Sequence, residues 1–183
     1  MGKNILAIVG SPRIGGNTEL LTDAFIKGAL ENGHTAQKIL LGKIKVNGCT
    51  ACGQCYKNGV PCVQNDGMQQ IYPLFDKANI IVWASPLYYR QFSAQLMAVI
   101  NRLHPISHPD VLSVPFKECV LLMAGATEDE SMFAPAVDLY QFSMINYPKW
   151  KDLGMILARG VRAKGAIVAT DALCRAWDLG KSV

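Results

Sequence analysis

The chain holds 183 residues, half of them hydrophobic and 17% charged, with a formal net charge of +4. That length suits one domain with a core that needs no covalent staples, and the composition excludes disorder and low-complexity sequence. No apolar run approaches the ~20 residues of a membrane-crossing helix, and the 18 basic residues are scattered rather than gathered into a nucleic-acid footprint. The N-terminal apolar stretch is too short for a signal peptide, and Leu6 stands where myristoylation prefers Ser or Thr. A cytoplasmic location is expected, so the six cysteines read first as thiols or metal ligands.

Five strand-then-helix units follow in chain order. Residues 5–9 are a continuous apolar run, as in a strand buried on both faces. A loop over 10–17 leads into a helix over 18–32, which Gly33 ends in a left-handed cap. Residues 35–41 form a weaker, more polar strand near an edge. An irregular segment, 42–67, carries four cysteines. A short helix over 68–77 precedes a second buried strand over 78–84. Ser93 caps a helix over 93–103 whose Leu96, Val99, Ile100 and Leu103 share one face. A strand over 119–124, a helix over 131–145, a strand over 153–158 and a helix over 171–179 complete the chain. This alternation predicts an α/β fold: a doubly wound, five-stranded parallel sheet with right-handed crossovers and helices on both faces.

Loops rich in Gly or Pro follow the strands at 10–13, 85–89 and 124–127, and ligands of such sheets bind outside the carboxyl ends of the strands. The first loop, Gly10-Ser11-Pro12-Arg13-Ile14-Gly15-Gly16-Asn17-Thr18, suits a phosphate monoester. A helix start offers unpaired N–H groups and a favourable dipole. Ser11, Asn17 and Thr18 add donors, Arg13 adds charge, and glycines at 15 and 16 permit close approach. No Gly-Lys-Ser/Thr closes the loop, so it is not a Walker A loop, nor is it GxGxxG. In the second loop Pro86 fixes the backbone, and Tyr88 and Tyr89 offer flat faces to a planar ring. The rival reading leaves both tyrosines capping the sheet edge with their hydroxyls in water.

These pieces resemble the NADPH-dependent FMN reductases and iron–sulfur flavoproteins of the flavodoxin-like superfamily. The resemblance rests on 10–18, on Ala-Ser-Pro-Leu-Tyr-Tyr at 84–89 with 93–96, on the cysteine block with Asn65-Asp66-Gly67-Met68, and on 150–154 through 180–182. It implies FMN in a three-loop pocket, where the flavin itself carries the chemistry and no side chain is assigned a catalytic role. Ser11, Arg13, Gly16, Asn17 and Thr18 would hold the phosphate. Pro86, Leu87, Tyr88 and Tyr89 would border the isoalloxazine, and Gly125 would add the remaining wall. It further implies NAD(P)H as electron donor, a small acceptor such as a quinone or a redox protein partner, and a homodimer or homotetramer. The chain departs from its relatives at Met97 and Asn101, where Lys and Asp are usual, and in the acidic run Glu128-Asp129-Glu130.

Cys49, Cys52, Cys55 and Cys62 are separated by gaps of two, two and six residues. Three readings fit that spacing: a metal–sulfur cubane wrapped by the C-x2-C-x2-C run, a four-thiolate zinc site, or four free thiols. The resemblance implies a [4Fe–4S] cluster on these four cysteines. Cys119 and Cys174 are expected in the core, as is Trp83, while Trp150 and Trp177 serve packing or an interface. His34, His104 and His108 show no pairing that suggests catalysis. Two further functions stay open, an electron carrier without turnover and a cysteine-based metal-binding module. The carrier reading sits poorly with Ser-Pro-Arg at 11–13 and the positive charge.

Overall fold

The computed structural model describes residues 2–58, 62–103 and 116–183; His104 and His108 lie outside the described residues. The elements run β1 (Asn4–Val9), α1 (Asn17–Glu31), β2 (Thr35–Leu40), α2 (Gln54–Asn58), α3 (Met68–Lys77), β3 (Ile80–Pro86), α4 (Ala94–Asn101), β4 (Glu118–Ala124), α5 (Ala134–Tyr140), β5 (Lys151–Ala158) and α6 (Ala172–Ser182). The five strands are parallel in the order β2-β1-β3-β4-β5. That is the flavodoxin-like order, with its switch point between β1 and β3. The polar strand β2 is an edge, as its composition predicts.

Because side chains alternate along a strand, each central strand feeds two cores. Leu6, Ile8, Ile81, Trp83, Leu121 and Met123 pack on one side with Phe75 of α3, Leu96 of α4 and Tyr140 of α5. Ile5, Ala7, Val82 and Leu122 pack on the other with Phe25 of α1 and Ala176 of α6. Trp83 is fully buried, and Trp150 packs on Phe75 with ring centroids 5.8 Å apart. Glycine shapes the second layer: a Cβ on Gly28 would strike the Trp177 carbonyl oxygen, and one on Gly180 would strike that of Phe25.

Three details depart from the sequence reading. The helix expected over 131–145 is three segments: a 3-10 turn (Glu130–Phe133), α5, and a π-helical stretch (Gln141–Asn146). Pro135 occupies the first turn of α5. The wide final turns are held from outside by Asp152, which accepts from Tyr140 Oη and Gln141 Nε2, both at 2.8 Å. Strand β5 carries a register irregularity opposite Cys119 and Leu121, where Gly154 adopts φ +124°. Cys119 is buried as expected, and burial pushes its thiol up to about 12. Cys174 is not in the core: α6 buries Ala172, Ala176 and Gly180, and the exposed thiol faces Asp178. Among the described residues no helix is long and apolar enough to cross a membrane.

Candidate functional site

Main-chain hydrogen bonds carry the sheet's order past its carboxyl edge. Gly10 N donates to Ala84 O at 2.7 Å, Leu87 N to Ala124 O at 2.9 Å, and Gly125 N to Ala158 O at 2.9 Å. Each post-strand loop is thereby sewn to the next. Ser93, the α4 N-cap, reinforces the seam at the switch point: its Oγ donates to Gly10 O at 2.7 Å and accepts from Leu96 N at 3.2 Å. Ser85 Oγ accepts the Ser93 N–H at 2.9 Å.

On this frame the first loop makes one tight turn. Ser11 Oγ accepts from Arg13 N at 3.1 Å, and Gly16 N donates to Arg13 O at 3.1 Å. A Cβ on Gly16 would meet Arg13 O at 2.9 Å, so only glycine fits there without a shift. Gly16 is also the N-cap of the 15-residue α1, and among the described residues no side chain caps that end. The N–H groups of Asn17, Thr18 and Glu19 therefore have no acceptor among the described residues. Unfilled donors and the helix dipole make this end an anion receptor. Glu19 holds the approach to it, accepting Gly15 N at 2.7 Å and Lys38 Nζ at 2.9 Å. Burial pushes the Glu19 carboxyl up, but the Gly15 N–H and Lys38 outweigh it and leave the group below its ordinary value.

Ser11, Arg13, Gly16, Asn17, Thr18, Pro86 and Tyr88 line one cleft. Leu87 instead turns inward toward Gly125, where an added Cβ would meet Phe133 Cζ at 2.7 Å and Leu87 Cβ at 3.3 Å; both residues shape the wall from behind. Tyr89 is fully exposed at the tip of a two-residue turn. Tyr88 and Gln91 exchange main-chain bonds of 3.0 and 2.9 Å, and Tyr89 and Arg90 adopt φ +48° and +61°. Consecutive left-handed residues without glycine are strained, and the turn lifts its side chains clear of the sheet.

The sequence reading omits a fourth contributor. Val161, Arg162 and Lys164, in the loop after β5, line the same cleft. Asn17 points at that loop: its Nδ2 donates to Val161 O at 2.9 Å and Ala163 O at 2.8 Å. The Asn17 amide thus assembles the cleft rather than offering its donors to a ligand. Among the described residues Arg13, Arg162 and Lys164 have no carboxylate partner. The signal available in the sequence was the pair of cations flanked by Gly160 and Gly165, a turn after the last strand.

The cysteine segment lies across the α3 and α4 side. Cys49 and Cys52 are exposed, and Cys55 and Cys62 half-buried. Burial, then the neighbouring Cys62, Cys49 and Cys52, push the Cys55 thiol up; the Gln54 N–H, Thr50 and Arg102 draw Cys52 down. The four thiols therefore share one electrostatic neighbourhood. Ala51 N donates to Cys49 Sγ at 3.4 Å. Among the described residues no three Cys, His, Asp or Glu side chains are grouped as a metal site. The donor set fits a thiophilic metal group by chemistry, and loading it would draw the sulfurs together. Beside the segment lies a cavity of about 450 Å³ bordered by Cys49, Asn101, Phe142, Tyr147 and Trp150. Asn101 sits on its rim, whereas Met97 packs against the core.

Residues 3–140 match the family model described as NADPH-dependent FMN reductase. An iron-sulfur flavoprotein of Archaeoglobus fulgidus is 32% identical over 127 residues, covering 69% of this chain and 57% of that protein. Another, from Methanosarcina thermophila, is 36% identical over 98 residues, 54% of this chain and 51% of that one. The chain thus spans about half the length of the curated relatives it matches. An NAD(P)H:quinone oxidoreductase from Methanothermobacter marburgensis superposes with a TM-score of 0.81 over 100% of this chain and 96% of its own, at 13% identity. An FMN-dependent NADH-azoreductase from Bacillus anthracis, solved in complex with FMN, gives a TM-score of 0.67 at 15% identity, covering 98% and 96%. Likeness at such identities is a likeness of fold.

Proposed function

We propose that this chain, which belongs to the NADPH-dependent FMN reductase family, binds FMN at the carboxyl edge of its sheet. There it works as an oxidoreductase, taking electrons from NAD(P)H or a redox partner and passing them to a small acceptor such as a quinone. The observation that carries this reading is the uncapped start of α1, whose three free N–H groups lie beside Arg13 in a cleft at the switch point. A phosphate monoester matches that donor set in charge and size. When bound, FMN supplies the hydride and single-electron chemistry.

The chain's own residues bind and orient. Thr18 and the α1 N–H groups would hold the phosphate with Arg13, while Ser11 keeps the turn that presents them. Pro86, Tyr88 and Tyr89 would border the ring, with Leu87 and Gly125 fixing the wall behind. Arg162 and Lys164 add positive potential that favours an anionic ligand. Cys49, Cys52, Cys55 and Cys62 would hold a [4Fe–4S] cluster, a reading supported by their shared neighbourhood and by the iron-sulfur flavoproteins among the relatives. A cytoplasmic homodimer or homotetramer accords with this reading, since Phe142 and Tyr147 stand exposed beside the large cavity.

The test is to titrate the full chain with FMN, following flavin fluorescence, and then to follow anaerobic NAD(P)H oxidation with a quinone. Saturable quenching and turnover are expected. Absence of bound flavin would overturn the reading, and flavin binding without turnover would favour an electron carrier. Zinc at one per chain without flavin would favour a metal-binding module.

A further inference from the structure

Arg102, directly after α4, is among the most deeply buried side chains, at 1% exposure. Arginine is rarely so buried unless it is paired. Its Nη1 donates to Asp66 Oδ2 at 2.9 Å and to Asn47 O at 3.0 Å. Its Nη2 donates to Asp66 Oδ1 at 3.3 Å and to Gln64 O at 3.5 Å. Asp66 in turn accepts the N–H groups of Asn47 at 2.9 Å and Met68 at 3.0 Å.

The placement of these acceptors is informative. Asn47 lies just before Cys49 and Gln64 just after Cys62, so one guanidinium grips both stems of the segment that carries the four cysteines. Two glutamines extend the grip to Cys62 itself. Gln64 Nε2 donates to Gly48 O at 3.2 Å and contacts Cys62 Sγ at 3.8 Å, and Gln69 Nε2 donates to Cys62 O at 2.8 Å. A buried ion pair is weak as a device for stability, since apolar packing commonly does as well. What it supplies is position, and here also charge. The carboxylate is turned to the main chain at 47 and 68, while the cation stands between the stem that leads into Cys49 and the stem that leaves Cys62. Among the described residues Arg102 Nε is buried without an acceptor, leaving unspent donor capacity on the same group.

We propose that Arg102 and Asp66 form a clasp that positions the cysteine segment to hold a net-anionic, thiolate-ligated metal–sulfur group, with Arg102 supplying compensating positive charge. The proposal rests on the reading of Cys49, Cys52, Cys55 and Cys62 as ligands. Each thiol that becomes a ligand releases its proton to solvent, so the segment gains negative charge on loading. A fixed guanidinium nearby favours the loaded segment over the empty one. Lysine at 102 would keep the charge but could not span a carboxylate and two carbonyls as the planar fork does.

The experiment reconstitutes the full chain anaerobically with ferrous iron and sulfide, comparing wild type with R102Q, R102K and D66N. Iron and sulfide retained per chain and the midpoint potential of the loaded fraction are measured, with cooperative thermal unfolding as the check on folding. R102Q is expected to retain at least tenfold less iron, its residual loaded fraction titrating at a lower potential than wild type. R102K is expected to retain more iron than R102Q at a potential near that of wild type. D66N is expected to lose iron without the fall in potential. Wild type that takes up no iron overturns the cluster reading and this role with it. Wild type that loads, with R102Q loading equally at the same potential, overturns the clasp alone. Should R102Q fail to unfold cooperatively, D66N carries the test, and wild-type iron retention by D66N overturns the proposal.

Discussion

The Asn17 carboxamide donates to the carbonyl oxygen of Val161, 144 positions further along the chain, at 2.9 Å. A second bond, to Ala163 at 2.8 Å, makes this one side chain the tie between the start of α1 and the loop after β5. Two neutral hydrogen bonds contribute roughly 2 kcal/mol together, at about 1 kcal/mol each. In N17A the loop bearing Arg162 and Lys164 loses this tie to α1 while its main-chain bonds to Gly125 and Thr127 remain, and FMN affinity should fall about tenfold, the equivalent of about 1.4 kcal/mol. Flavin fluorescence titration measures it directly. Affinity equal to wild type would mean that the loop holds its place without the tie.

Arg13 should matter in a different way, because it is exposed and has no carboxylate partner among the described residues. A charge-assisted bond to a phosphate is worth about 1.5–3 kcal/mol. R13A is therefore expected to weaken FMN about 10- to 100-fold while leaving riboflavin, which lacks the phosphate, within about twofold. The penalty should shrink as salt rises, since the group lies within reach of screening ions. Equal losses for FMN and riboflavin would remove Arg13 from the phosphate and assign it to the loop.

The contrast between these two residues shows what the sequence carries. Runs such as 5–9 and 119–124 announce buried strands because burial on both faces leaves no room for polar alternation, and Ser93 announces a cap because the N–H it takes is three residues away. Arg13 is legible by the same local logic. Asn17 is not: a polar residue in a phosphate-type loop looks ligand-facing until the fold brings Val161 and Ala163 beside it. Arg102 is hidden likewise, since its acceptors at 47, 64 and 66 precede it by tens of residues. Cys174 misled because α6 is amphipathic, and its buried stripe of 172, 176 and 180 passes two positions to the side. The π-helical stretch is invisible for the same reason, its support at Asp152 being tertiary.

The crossing of α1 and α6 gives a stability prediction independent of any ligand. Adding a methyl group at Gly28 or Gly180 would drive a Cβ into the main chain of the facing helix, at Trp177 and Phe25 respectively, and backbone cannot swing aside as a side chain can. Overpacking of this kind costs about 1–3 kcal/mol. Urea unfolding should show G28A and G180A each destabilised in that range. G48A, where an added Cβ meets nothing within 4 Å among the described residues, should stay within about 0.5 kcal/mol of wild type.

Glu19 sets a pH dependence whose sign follows from its partners. The carboxylate accepts the Gly15 N–H and pairs with Lys38, and these outweigh burial, so its folded-state pKa lies below the ordinary 4.5. A depressed carboxyl contributes stability that is fully present above the unfolded-state value and is lost as pH falls through the folded-state value. Lys38 is raised by Asp23 and Glu19 against the opposing effect of burial, and it stays charged throughout the acid range. Wild type should therefore exceed E19Q in thermal midpoint at neutral pH, and the gap should narrow steadily as pH drops below 4.5. A gap between the two proteins that persists unchanged well below the folded-state value would show that the carboxylate's charge is not what secures the loop.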